Sequence, residues 1–302
     1  MSPVPPPPSN PSPAAGEQAP AATARPTPHP EVPQPLLRLQ LRDLSHNATR
    51  IFLDNFDAAK DFRHLADTVL TLLYFSTPPP SSPTSTALSA HPSPLPSNSS
   101  SRHNAAPKIP GTRSVTLILR AMDGVAYTTG LDLDDDHKEI HLSLSYIEAV
   151  CTRKNYDARN ELMGVVCHEL VHCFQWAAEG TCPGGLIEGV ADWVRLNAGH
   201  VPPHWKREAD GDWDAGYQHT GYFLDWVEKS VGEGSVRKLN ARLREGKYDE
   251  DGFWEGLFGE KVGQLWKEYG KSLNPENGEK RKEGEGEGVE QGWIGREGTR
   301  LD

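Results

Sequence analysis

Gly164-Val165-Val166-Cys167-His168-Glu169-Leu170-Val171-His172-Cys173-Phe174 sets two histidines and a glutamate inside an otherwise apolar run. The run belongs to a longer proline-free stretch, 158–178, and Asp157 stands at its start as a capping residue. Leu162, Val165, Val166, Leu170, Val171, Phe174 and Ala177 cover more than one face at helical spacing, which predicts a central, buried helix. Side chains four apart lie one turn apart on the same helix face, so His168 and His172 can grip one metal ion. Glu169 is offset sideways, within reach of a water activated by that metal rather than of the metal itself. This is the H-E-x-x-H arrangement, with Glu169 as general base. Burying three such side chains without a partner would be costly, and a metal supplies the partner.

A catalytic zinc takes three protein ligands and keeps one position open. Beyond the break at Pro183-Gly184-Gly185, the stretch 186–197 reads as the next helix, ended by Gly199 and Pro202-Pro203. In it Glu188 and Asp192 are four apart and share a face, while Leu186, Ile187, Val190 and Val194 occupy others. If the turn folds this helix back beside the first, Glu188 becomes the third ligand. Asp192 can then accept a hydrogen bond from the outer nitrogen of a ligand histidine and fix its tautomer. The metzincin pattern would need Gly and His where this chain has Gln175 and Ala178. His200 and His204, beside a glycine and two prolines, read as loop residues.

Upstream, Leu37, Leu39 and Leu41 alternate with polar residues and predict a half-buried strand. Residues 57–75 show helical spacing, with Phe62, Leu65, Ala66, Val69, Leu70 and Leu73 on one stripe. Val115, Leu117 and Leu119 mark a second strand, Asp123-Gly124 a turn, and Ile140, Leu142 and Leu144 a third strand that could serve as the sheet edge for an extended peptide. The acidic run Asp132–Asp136 lacks the spaced loop of an EF-hand and reads as a solvated turn rather than a calcium site. Further helices are predicted at 217–230, 235–244 and 261–272, with Trp226, Trp254 and Trp266 packed among them.

The segments 1–35 and 77–110 are rich in Pro, Ser and Ala, and 273–302 is rich in Glu, Gly, Lys and Arg. Such compositions bury too little apolar surface to offset the entropy of ordering. They are expected to be a disordered tail, a flexible insertion and a second disordered tail around one domain, 36–272. The net charge of −11 has no basic stripe within it, which argues against a nucleic-acid partner. No apolar run approaches the ~18 residues of a membrane span, and no secretory signal is visible, so a cytoplasmic protein is the default expectation. A monomer is likewise the default. Of the four cysteines, Cys167 and Cys173 fall in the apolar helix and read as core residues. A Cys151–Cys182 bridge stays open as an alternative to free thiols.

The run 164–176, followed by Pro183-Gly184-Gly185-Leu186-Ile187-Glu188-Gly189-Val190-Ala191-Asp192-Trp193, resembles the plant basic secretory protein family of zinc peptidases. Asp123-Gly124-Val125-Ala126-Tyr127, Gly216-Tyr217-Gln218-His219-Thr220 and the stretch from Leu239 to Trp266 are similar as well. Glu188-Gly189-Val190-Ala191-Asp192 also looks like the third-ligand motif of thermolysin-type Glu-zincins. The resemblance implies an α+β, zincin-like fold: a small twisted mixed sheet, an active-site helix and a helical C-terminal part. It implies a zinc-dependent metallopeptidase acting on a peptide or protein substrate, with secretion as the alternative to the cytoplasm. Tyr217, which matches a family position at a helix start, is the candidate oxyanion donor, with His219 second and a purely structural tyrosine as the rival reading. The rival function is a catalytically inactive zinc-containing binding or defence-related protein of the same fold. The chain departs from the family name in being acidic.

Overall fold

A computed structural model describes residues 34–75 and 107–273; residues 1–33, 76–106 and 274–302, which hold nearly all of the two expected tails and the insertion, lie outside the described residues. Four strands form one mixed sheet: β1 (Leu36–Leu41), β2 (Ser114–Arg120), β3 (Ala126–Leu131) and β4 (Asp134–Ser143). Their order is β1-β2-β4-β3. β1 and β4 both run parallel to β2, and β3 runs antiparallel to β4. The alternation of leucines sets the register: Leu39 pairs with Leu117, and Leu117 with Ile140, so one face of the sheet is a continuous apolar surface.

This order corrects one expectation. The strand containing Ile140 and Leu142 lies inside the sheet, and the edge beside it is β3. Leu144, apolar and in phase with those two residues, belongs to the next helix. Ser143 caps that helix by accepting from the Tyr146 backbone N–H at 3.1 Å. The acidic run divides likewise: 132–133 form the hairpin turn, and β4 begins at Asp134.

Among the described residues the helices are α1 (Asn47–Asn55), α2 (Asp61–Tyr74), α3 (Leu144–Cys151), α4 (Ala158–Phe174), α5 (Gly184–Asn197), α6 (Tyr217–Ser230), α7 (Ser235–Arg242), α8 (Glu250–Phe258) and α9 (Val262–Leu273). The content is α+β, as expected. α4 is buried along its length from Glu161 to Phe174 apart from the half-buried His172, and it packs between α2, α5 and the β3–β4 side of the sheet. Asp157 caps it by accepting from Asn160 N–H at 2.9 Å.

The helix stops at Phe174, four residues short of the sequence reading, because Gln175 turns extended and Ala178 takes a positive φ of 51°. Its last carbonyls still find partners: Thr112 Oγ1 donates to Cys173 O at 2.6 Å, and the Tyr74 hydroxyl donates to Phe174 O. The C-terminal helices gather around Phe223, whose ring meets Trp213, Trp226, Trp254, Trp266 and Tyr269. All four cysteines are free thiols, and burial pushes Cys151 up to about 11 and Cys167 and Cys182 up to about 12. No described helix is long and apolar enough to cross a membrane.

Candidate metal centre

Glycine-permitted close packing sets the position of the second helix. A Cβ on Gly189 would fall 2.3 Å from Thr220 Cγ2, and one on Gly185 would fall 1.7 Å from Asp214 O. The chain from 213 to 221 therefore lies directly on α5. Gly216, at φ +86°, passes 3.4 Å from Gly185 Cα, measured from its ideal Cβ position, and 3.7 Å from Glu188 Cβ. Tyr217 follows with a φ of +46°, a region that non-glycine residues rarely occupy.

On the facing sides of α4 and α5, His168 Nε2 stands 3.0 Å from Glu188 Oε2 and 3.1 Å from His172 Nε2, and His172 Nε2 stands 3.7 Å from Glu188 Oε1. One donor atom from each of the three residues lies within 4.8 Å of the other two, and among the described residues no second cluster of this kind occurs. Neither the run Asp132–Asp136 nor His200 joins one; His200 Nδ1 instead meets Asn160 Oδ1 at 3.2 Å. Tetrahedral coordination at ~2.1 Å would set neighbouring donors roughly 3.4 Å apart. The separations here bracket that value, and two imidazoles with a carboxylate make a donor set suited to a borderline divalent metal. The three residues fit a metal ion.

The surroundings orient these donors. His168 Nδ1–H donates to Asp192 Oδ1 at 2.7 Å, so its Nε2 faces the cluster. His172 Nδ1 lies 2.7 Å from the Gln175 amide. With the amide nitrogen toward the ring, Gln175 Oε1 is buried without a partner. Turning the amide over lets Oε1 accept from Nδ1–H and frees the His172 Nε2 lone pair for a metal. Gln175 is a residue that sequence reasoning missed in this role, although its spacing three after His172 was visible.

Burial opposes charge on His168, but its hydrogen bonds to Asp192 and Glu188 and the charges of Asp192 and Glu169 push the imidazole up to about 10. Burial, aided by the charge on His168, pushes His172 down to about 3. Glu188 is held below the ordinary carboxylate range; burial works against this, and the His168 hydrogen bond and both imidazole charges outweigh it. The one proton of the cluster thus sits on His168, between the Asp192 and Glu188 carboxylates. A divalent cation would take that place and release the proton.

The Glu169 carboxylate is not among the three converging donors and bonds to β3 instead. Thr128 Oγ1 donates to its Oε2 at 2.6 Å. Burial pushes the Glu169 carboxyl above the ordinary range, and the His168 charge and the Thr128 hydrogen bond only partly offset this. Thr128 was invisible to the sequence reading because β3 itself was. Tyr217 stacks on His168 at 6.1 Å between centroids with its side chain largely exposed, whereas His219 packs on Trp266 of α9 at 4.9 Å.

A family model described as peptidase of plants and bacteria matches residues 34–269. The chain belongs to this family. The basic secretory protein resemblance read from the sequence is thereby shown, and peptidase is the activity that the family description carries. The match spans both α4 and α5 and the segment that brings Tyr217 to them. No curated protein and no solved structure matches the chain.

Proposed function

We propose that this chain is a zinc-dependent peptidase, with His168, His172 and Glu188 holding the metal and Glu169 acting as general base. The observation that carries this reading is the convergence of two imidazole nitrogens and one carboxylate on a single point, with a second carboxylate adjacent to that point but bonded elsewhere. Three protein ligands leave a position open, as catalysis needs, whereas a structural zinc site is usually closed by four. When bound, zinc supplies Lewis-acid activation of water and of the scissile carbonyl, lowering the water's pKa from about 15.7 toward ~7.

The chain's own residues do the rest. Glu169, made more basic by burial, accepts the proton of the attacking water and returns it to the leaving amine. Asp192 holds His168 in the tautomer that presents Nε2. Burial, with the charges of Glu188, Asp192 and Glu169, raises the Tyr217 phenol, which keeps it protonated and able to donate to a developing oxyanion. The peptide would lie along β3, the edge nearest α4, where Val125, Tyr127 and Leu131 offer exposed apolar contacts.

The test is hydrolysis of casein and of fluorogenic peptides by the purified chain, with and without a chelator, together with metal analysis. Chelator-sensitive cleavage, about one zinc per chain, and a Glu169→Gln variant that keeps zinc but loses cleavage are expected. Cleavage retained by that variant removes Glu169 from the mechanism, and zinc without any cleavage favours the binding-protein reading.

A further inference from the structure

β3 is an edge strand whose alternate residues face opposite sides, and its short, polar sequence gave no strand signal. Ala126, Thr128 and Gly130 are the half-buried members, pairing with Leu142, Ile140 and Lys138 of β4. Thr128 is therefore directed to the helix-bearing side, where α4 passes. Its hydroxyl has two acceptors, both on one residue: Glu169 Oε2 at 2.6 Å and Glu169 main-chain O at 3.0 Å. The shorter contact lies in the range of an O–H donating to a carboxylate. Among the described residues, no other hydrogen bond reaches the Glu169 carboxylate, which is itself buried.

We propose that Thr128 is a positioning residue for Glu169, its hydroxyl clamping the carboxylate to the edge strand in the orientation from which it serves as base. This rests on the metallopeptidase reading above. A glutamate side chain turns about three single bonds, and a proton acceptor must sit within hydrogen-bond reach of the water it deprotonates. Without a fixed partner the carboxylate would sample several rotamers and spend less time in the productive one. Because the clamp sits on the strand that a peptide would pair with, the base and the substrate would be referred to the same piece of backbone.

The test uses the full chain with Thr128→Val and Thr128→Ser. Valine keeps the β-branched shape that suits a strand and removes the donor; serine keeps the donor. For Thr128→Val, kcat on a fluorogenic peptide should fall about 10- to 100-fold, with KM and zinc content unchanged, as for loss of a supporting hydrogen bond in a metal site. Thr128→Ser should stay within about threefold of the parent, a difference well under the 1.4 kcal/mol that marks a factor of ten. Independently of activity, crystal structures of the chelator-treated proteins should show the Glu169 carboxylate against β3 in the parent and displaced or spread over several rotamers in Thr128→Val. Wild-type kcat in Thr128→Val, or equal losses in both variants with Glu169 unmoved, overturns the proposal. If the zinc-loaded parent cleaves nothing, the peptidase reading fails instead, and the Glu169 position in the two crystal structures still decides whether the clamp exists.

Discussion

His168 and Asp192 are joined by a 2.7 Å hydrogen bond from Nδ1 to Oδ1, on the side of the imidazole away from the three converging donors. The bond ties α4 to α5 and selects the tautomer that offers Nε2 to a metal. Asp192→Ala should therefore weaken metal binding about 10- to 100-fold while leaving all three ligands in place. Competition against a chelator of known affinity reads this directly. Unchanged affinity would mean that packing alone orients His168.

How much of this was legible in the sequence differs residue by residue. The site was legible because its chemistry is local: His168 and His172 share a helix face by spacing, and Glu188 and Asp192 do so on the next helix. Only the crossing of the two helices is tertiary, and Gly164 on α4 permits it by leaving room for Arg195 of α5. The missed elements fail for identifiable reasons. α1 is capped by His46 Nδ1, which accepts from Ala48 N–H at 3.2 Å, and histidine is not among the usual capping residues. α8 carries Gly252 and Gly256, which weaken helix propensity, although Asp249 caps it in the ordinary way. α3 was hidden because Leu144 keeps strand phase with Ile140 and Leu142 for one residue beyond the strand. β3 holds two threonines and a glycine with little apolar alternation, and it exists because β4 offers it a partner.

Gly189 is the point where α5 and α6 come closest to requiring a glycine. A Cβ there would stand 2.3 Å from Thr220 Cγ2 and 2.5 Å from Thr220 Cβ, and Thr220 is fully buried. Thr220 Oγ1 also donates to Trp213 O at 2.8 Å, so it has no free rotamer to move into. Gly189→Ala should cost about 1–3 kcal/mol through overpacking, a melting-temperature loss of roughly 2–10 °C. Gly263→Ala is the control: nothing lies within 4 Å of a Cβ there, in α9. It should be neutral or stabilising by up to about 1 kcal/mol. Equal melting temperatures for the two variants would show that α5 and α6 part easily.

Behind the metal centre, Glu161 and Arg195 form a buried pair between α4 and α5 with Nη2 to Oε1 at 3.3 Å. Glu161 also accepts from the Tyr146 hydroxyl at 2.8 Å and the Tyr156 hydroxyl at 2.7 Å. Gly164 makes room for the guanidinium, since a Cβ there would fall 2.4 Å from Arg195 Nε. Removing the carboxylate strands a buried cation, so Glu161→Gln should destabilise the chain by about 3–5 kcal/mol. Denaturant titration measures the loss, and a change below about 1 kcal/mol, as for a surface pair, would show that water reaches Arg195.

Acid should act through a second carboxylate, Asp61, at the start of α2. Asp61 accepts from Arg159 Nη1 at 2.7 Å and Nη2 at 2.8 Å, and from the Asp57 backbone N–H at 2.9 Å. The Arg159 hydrogen bonds, working against burial and aided by the Asp57 bond and the Arg159 charge, hold its carboxyl below the ordinary value of 3.8. A carboxylate with a depressed folded pKa binds fewer protons folded than unfolded just below that value. Its stabilisation is therefore fully present above the unfolded pKa and is lost as the pH falls through the lower, folded one. Glu161 behaves in the same direction from 4.5, because Arg195 and the two tyrosines overcome a burial that alone would raise it. Stability of the parent should fall as the pH drops below about 4.5 and continue falling below 3.8, the ordinary values for the two groups. Asp61→Asn should be less stable at neutral pH by about 1.5–3 kcal/mol, the worth of a hydrogen bond to a charged group. It should also lose stability less steeply in acid. Melting curves of parent and variant from neutral pH into the acid range check both, and parallel curves would show that Asp61 has the same pKa folded and unfolded.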